Sequence, residues 1–146
     1  MSTSKRFLFI LLLLAVFLST GFLTACSTSE HAYEMADMHD MPSVIQESPV
    51  SVQQAYQFAV ANPDILKELP CYCGCGPMGH TSNYSCYILD EAADGRIVYD
   101  YHALGCSICV DITQDAMRML DEGKTLSEIR VYVDQTYAKF GPSNIP

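Results

Sequence analysis

Pro70-Cys71-Tyr72-Cys73-Gly74-Cys75-Gly76-Pro77-Met78-Gly79-His80 is the stretch around which the rest of the chain must be arranged. Glycine at 74, 76 and 79 and proline at 77 argue against a long helix or a regular strand. They predict a tight loop that folds closely around something, with sulfurs at every second position from 71 to 75. Further cysteines follow at 86, 106 and 109. Bridges within the 71, 73, 75 trio would close strained rings, so each of these sulfurs must find its partners elsewhere in the chain.

Metal, disulfide and redox chemistry are the candidates for Cys71, Cys73, Cys75, Cys86, Cys106 and Cys109. Three disulfides would staple a small domain outside the cytosol. That pairing would bring all six sulfurs to one spot, an odd way to staple a fold. Convergence on one spot is what a thiolate metal site needs. Cys106-Ser-Ile-Cys109 is a chelating pair at a helix start, where free N–H groups and the helix dipole stabilise thiolates. His80 lies five residues after Cys75 and His102 four before Cys106, so both imidazoles join the ligand candidates. Six sulfurs and two imidazoles exceed one tetrahedral zinc site. Soft sulfur ligands select Cu(I) or zinc, and the surplus points to a multinuclear Cu(I)–thiolate cluster or to a mononuclear site with some cysteines bridged. A closed structural zinc site is the plainer alternative. A thiol–disulfide redox protein using Cys106 and Cys109 is the alternative from the enzyme class. Four further cysteines have no role in that chemistry. Val110 follows Cys109 where c-type haem attachment would need histidine. Asp100 is a candidate to orient the His102 ring. No hydrolase elbow or phosphate-cradling loop is present, and the expectation is a binding protein with no catalytic residue and no small-molecule substrate.

The flanks read as helices. Ser51 is a candidate cap for a helix from Pro49, with Val52, Ala55, Tyr56, Ala59 and Val60 on one stripe. Asn62-Pro63 predicts a fresh helix start that places Ile65, Leu66 and Leu69 inward and stops at Pro70. Residues 85–89 and 96–101 around Asp94-Gly95 predict a short hairpin. Cys106 opens a third helix to about Glu122, with Ile112, Ala116, Met119 and Leu120 inward and Gly123 just beyond its end. Thr125-Leu-Ser-Glu128 is a capping box opening the last helix, with Leu126, Ile129, Val133 and Phe140 near one face. Tyr72, Tyr84, Tyr87, Tyr99 and Tyr101 are expected to shield the site. The predicted fold is mainly α: about four helices and a short hairpin around a Cys-rich metal-binding loop.

Upstream, Lys5 and Arg6 precede the apolar run Phe7 to Leu18, 12 residues long. A spanning helix needs ~20, so residues 1–25 read as a signal peptide. Leu23-Thr24-Ala25-Cys26 resembles the lipobox of bacterial lipoproteins, which implies cleavage before Cys26 and lipidation of its sulfur. Multiple acyl chains suffice for stable anchoring. The expectation is an extracytoplasmic, membrane-anchored protein. Residues 26–50 read as a flexible tether, rich in Ser, Thr, Glu, Asp and Pro. Met35, Met38, His39 and Met41 lie in it as weaker copper ligands, and His31 precedes them. Residues 51–146 form the Cys-rich domain. The net charge is −9, and because Lys5 and Arg6 are the only charges in residues 1–25, the remainder carries −11. An electrostatic nucleic-acid binder needs the opposite sign.

The stretch PCYCGCG at 70–76 resembles the bacterial lipoprotein family named for its PCYCGC motif. The resemblance runs from Asn62-Pro63 through Gly79-His80, Cys86, Asp100, His102 and Cys106-x-x-Cys109 to Ile129-Arg130. It implies lipoprotein status and a cysteine-centred, metal-binding domain. Copper, and a copper-protein client, come from ligand softness and from the Met/His segment, not from the resemblance.

Overall fold

A computed structural model describes residues 31–145. The leader and Cys26 lie outside the described residues. From His31 onward the chain forms one compact unit of five α-helices, several single 3-10 turns and one two-stranded antiparallel sheet. The helices are α1 (Ser43–Gln46), α2 (Val50–Ala61), α3 (Pro63–Lys67), α4 (Ser107–Asp121) and α5 (Leu126–Tyr137). The strands are β1 (Ile88–Glu91) and β2 (Ile97–Tyr99). The mainly helical domain with a hairpin beside a cysteine cluster is as the sequence predicts. None of the helices among the described residues is long and apolar enough to cross a membrane.

Helix α4 is the central element, packed between α2 and α5. Its inward positions follow the helical period: Cys109, Ile112, Thr113, Ala116 and Met119 are buried, while Asp111, Arg118 and Asp121 face out. Beyond its end, Gly123 N–H donates to the Leu120 carbonyl and Lys124 N–H to that of Met119. That pairing satisfies carbonyls the helix leaves open. At α5 the capping box is complete: Thr125 Oγ1 accepts from Glu128 N–H, and the Glu128 carboxylate accepts from Thr125 N–H. Ile129, Val133 and Tyr137 carry its buried face.

Several local expectations are corrected. Ser51 caps nothing; Pro49 occupies the cap position of α2 without a side-chain bond. Proline supplies the helix-entry geometry with no donor to satisfy. Asn62 does precede Pro63, but its amide donates to Glu34 and Phe58 carbonyls instead of capping α3. The last helix stops at Tyr137, and Phe140 in the following 3-10 turn is 52% exposed. Leu120 is only half-buried, and Tyr101 is exposed.

The largest departure is at 31–50. From His31 this stretch packs on the domain. Met41 and Ile45 are buried, and Tyr33, Met35, Ala36 and Met38 pack against the core. Ala36 N–H donates to the Gln57 carbonyl, and His31 meets Asp121 at 2.8 Å. A tether of this composition has few core residues, yet Met41 and Ile45 bury enough apolar surface to hold it, roughly 1.5–3 kcal/mol per side chain. His39 stays exposed.

The hairpin pairs Ile88 with Tyr99, Asp90 with Val98 and Glu91 with Ile97, and the register slips by one between Ile88 and Asp90. Leu89 at that slip is 67% exposed, as expected for the extra residue of a bulge. Tyr87 takes Asp100 N–H on its carbonyl, and Tyr56 donates its hydroxyl to the Asp100 carbonyl. The hairpin thus ends by fixing Asp100, two residues before His102.

Candidate metal centre

Four segments meet at one point: the 70–80 loop, the turn at Cys86, the turn at His102 and the start of α4. All six cysteines among the described residues are free thiols. Cys71 Sγ lies 3.3 Å from both Cys73 Sγ and Cys109 Sγ. Cys73 Sγ lies 3.6 Å from Cys109 Sγ and 3.3 Å from His102 Nε2. Cys75 and Cys86 sulfurs are 3.9 Å apart.

Ligand atoms within 4.8 Å of one another form overlapping sets: Cys73, His102, Cys106 and Cys109; Cys75, His80, Cys86 and His102; Cys71, Cys73 and Cys75; and Cys71, Cys86 and Cys109. All eight predicted cysteine and histidine ligands are therefore gathered, and the cluster can hold a metal ion. Met41 is buried in the core, and Met35 and Met38 pack against it.

His80 carries the clearest sign of a ligand. It is 5% exposed, and its Nδ1 has no hydrogen-bond partner. A buried polar atom without a partner costs about 1–3 kcal/mol. Its other nitrogen, Nε2, faces Asp100 Oδ2 at 3.3 Å. A carboxylate on one ring nitrogen fixes the tautomer and leaves the other lone pair for a metal. Asp100 was expected to orient the His102 ring. The structure gives it the His80 ring, while its second oxygen accepts the His102 backbone N–H at 2.7 Å. The two imidazoles meet edge to face, with centroids 5.1 Å apart.

The thiols share charge unequally. Hydrogen bonds with Cys109 and then Cys86 hold Cys71 well below the ordinary thiol range, against the effect of burial. The same bond to Cys71 pushes Cys109 far up. Burial raises Cys73 and Cys75. Cys86 is drawn down by Cys109 but ends raised, through Cys71 and burial. Charges this close cannot all ionise, so Cys71, Cys73, Cys75, Cys86 and Cys109 titrate as a coupled group. A bound cation would supply the charge that lets them deprotonate together.

The backbone beneath the cluster is held by residues that spacing alone did not reveal. Asn83, buried, donates its amide to the Cys109 carbonyl at 3.3 Å, and the Tyr87 hydroxyl donates to it at 2.9 Å. Thr113 donates to Asn83 Oδ1 and lies 2.7 Å from the Tyr87 hydroxyl. Asn144 closes the top. Its Oδ1 accepts Cys71 N–H at 2.6 Å, its own N–H donates to the Cys71 carbonyl, and its amide donates to the Ser82 carbonyl. A Cβ on Gly141 would sit 2.9 Å from the Tyr72 carbonyl oxygen, so only glycine lets this C-terminal segment approach. Within the loop, Gly74 has φ +81°, a left-handed turn between Cys73 and Cys75.

A family model described as "Protein of unknown function with PCYCGC motif" matches residues 10–144. The chain belongs to this family. The match takes in every ligand of the cluster, so the PCYCGC motif here is one wall of a Cys/His centre whose other walls are Cys86, His102 and the start of α4. No curated protein and no solved structure matches the chain.

Proposed function

We propose that this protein is an exported, lipid-anchored carrier that binds Cu(I) and sequesters it or delivers it to a copper-protein client. The observation that carries this reading is the convergence of six free thiols and two imidazoles, with the buried His80 Nδ1 left without a partner. Thiolates are soft ligands that favour Cu(I) over hard cations. The acidic balance of the chain adds a field that concentrates cations. Cys26, after its apolar leader, supplies the anchor on which the membrane localisation rests. A cargo role needs no catalytic group.

Zinc is the second reading. Two of the ligand sets contain four Cys and His residues each, the number that closes a tetrahedral zinc site.

The test is to purify the full-length chain in detergent without oxygen and to count reactive thiols and metals together after adding Cu(I), Zn2+ or nothing. Copper that protects most of the six thiols, and that zinc does not displace, supports the carrier. Zinc held tightly against Cu(I) makes the centre structural. No metal and no reactive thiols leaves a disulfide-stapled domain, and one pair that cycles on reduction leaves a redox protein. Incorporation of a labelled fatty acid that Cys26→Ser abolishes is the result expected of the anchor.

A further inference from the structure

The cluster is not one even bowl of ligands. Cys73, His102 and Cys106 are half-buried, and only Cys109 of their set is fully enclosed. Cys75, His80 and Cys86 are all buried. Cys71 is common to both three-sulfur sets, within 4.8 Å of Cys73, Cys75, Cys86 and Cys109. Cys73, Cys106 and Cys109 lie on one side and Cys75, Cys86 and His80 on the other; Cys71 is in both three-sulfur sets and His102 in both four-residue sets, and the 3.3 Å from His102 Nε2 to Cys73 Sγ assigns that ring to the first side.

We infer that the centre holds metal at two unequal positions joined by the Cys71 sulfur: an outer, exchangeable one at Cys73, His102, Cys106 and Cys109, and an inner, retained one at Cys75, His80 and Cys86. This rests on the reading of the cluster as a soft-metal site. The inner position is the one with the unpartnered His80 Nδ1, and Asp100 holds that ring from behind. Buried ligands oriented by a second layer of partners bind tightly and release slowly. The Asn144 amide lies 3.7 Å from Cys75 Sγ and adds a donor there.

The outer position has a route to solvent. A cavity of about 290 Å³ opens beside Cys106, lined in part by Val52, Ala103, Leu104 and Val110. An acceptor with a soft sulfur ligand enters here and binds the metal while Cys106 still holds it. The bond to Cys106 breaks next, and those to Cys73, His102 and Cys109 follow as further acceptor ligands replace them. The freed thiolates take protons from solvent, the metal keeps its oxidation state, and no electron changes hands. The inner ion stays, keeps Cys71 deprotonated and holds the loop in place for reloading. The acceptor is thus recognised by its thiolate or thioether.

The experiment is Cu(I) release from the anaerobically loaded full-length chain to excess bathocuproine disulfonate, followed by absorbance, with metal counted before and after. Two phases of equal amplitude, their rates at least roughly tenfold apart as expected of oriented buried ligands, are the expected result. In Cys106→Ser the fast phase disappears and the slow one remains. In His80→Asn the slow phase is lost or merges with the fast one, while near-native circular dichroism reports folding. A single phase in the unaltered chain, or equal loss of both phases in Cys106→Ser, overturns the two-position arrangement and leaves the soft-metal reading standing. No copper bound at all overturns both.

Discussion

The start of α5 and the 70–80 loop solve the same problem, how to fix backbone that has no ladder of its own, in opposite ways. At α5 every partner lies within three residues: Thr125 and Glu128 satisfy one another. The loop has local turns at Met78 and Gly79, but the bonds that fix Cys71 and the floor of the cluster are distant. Cys71 is held by Asn144, 73 residues on, and the Cys109 carbonyl below is held by Asn83 and Tyr87, 26 and 22 residues back. The first kind of structure is independent of the rest of the fold. The second exists only when the fold is complete, and it is the kind that carries the thiols.

The sharpest way to break the distant network is Tyr87→Ala. It empties a fully buried site and leaves the Cys109 carbonyl short of a donor. Loss of about 3–5 kcal/mol is expected, measured by urea unfolding of the metal-free chain. Asn144→Ala comes next, because the part-buried Cys71 N–H loses its acceptor. A cost of roughly 1–3 kcal/mol is expected by the same measurement, with weaker metal binding. An unchanged midpoint would show that the loop holds itself.

Asp100→Asn separates folding from metal binding. The amide can still accept from the His102 backbone, but it no longer presents a carboxylate to His80 Nε2. Metal affinity is expected to fall about 10–100-fold, read by chelator competition, with a much smaller change in metal-free stability. Thr125→Ala is the counterpart in the self-contained cap. About 1 kcal/mol is expected, with no change in metal affinity. The smallest effect is acid loosening of the same cap. Backbone and side-chain hydrogen bonds from Thr125 hold the Glu128 carboxyl below its ordinary value. A depressed folded-state value stabilises above the unfolded one and is lost as pH falls through it. The stabilisation therefore fades through the carboxylate range, and Glu128→Gln should flatten that part of a thermal-melt pH profile.

The same contrast explains what could be read from the chain alone. The capping box, Gly123 after α4, the Asp94-Gly95 turn and the inward stripe Ile112, Ala116, Met119 are local patterns, and all are present in the structure. The ligand set was legible because spacing and chemistry name cysteines directly. Asn83, Thr113 and Asn144 were not, since nothing near them in sequence marks them. The packing of 31–50 escaped for a related reason. Met41 and Ile45 sit among polar neighbours without a period, and only α2 and the hairpin in three dimensions give them a place to bury. The role of Asp100 was foreseen but aimed at the wrong ring, because two residues of separation in sequence count for less than the 3.3 Å between it and His80.

The clasp between Cys71 and Asn144 also sets an order of events in time. A chain made N-terminus first presents the six thiols of the cluster before residue 144 exists to close over them. Until then the sulfurs are open to oxidants and to wrong pairing. Newborn molecules should therefore be the vulnerable ones, and a reducing or chaperoned passage matters to this protein before its fold is finished, not after.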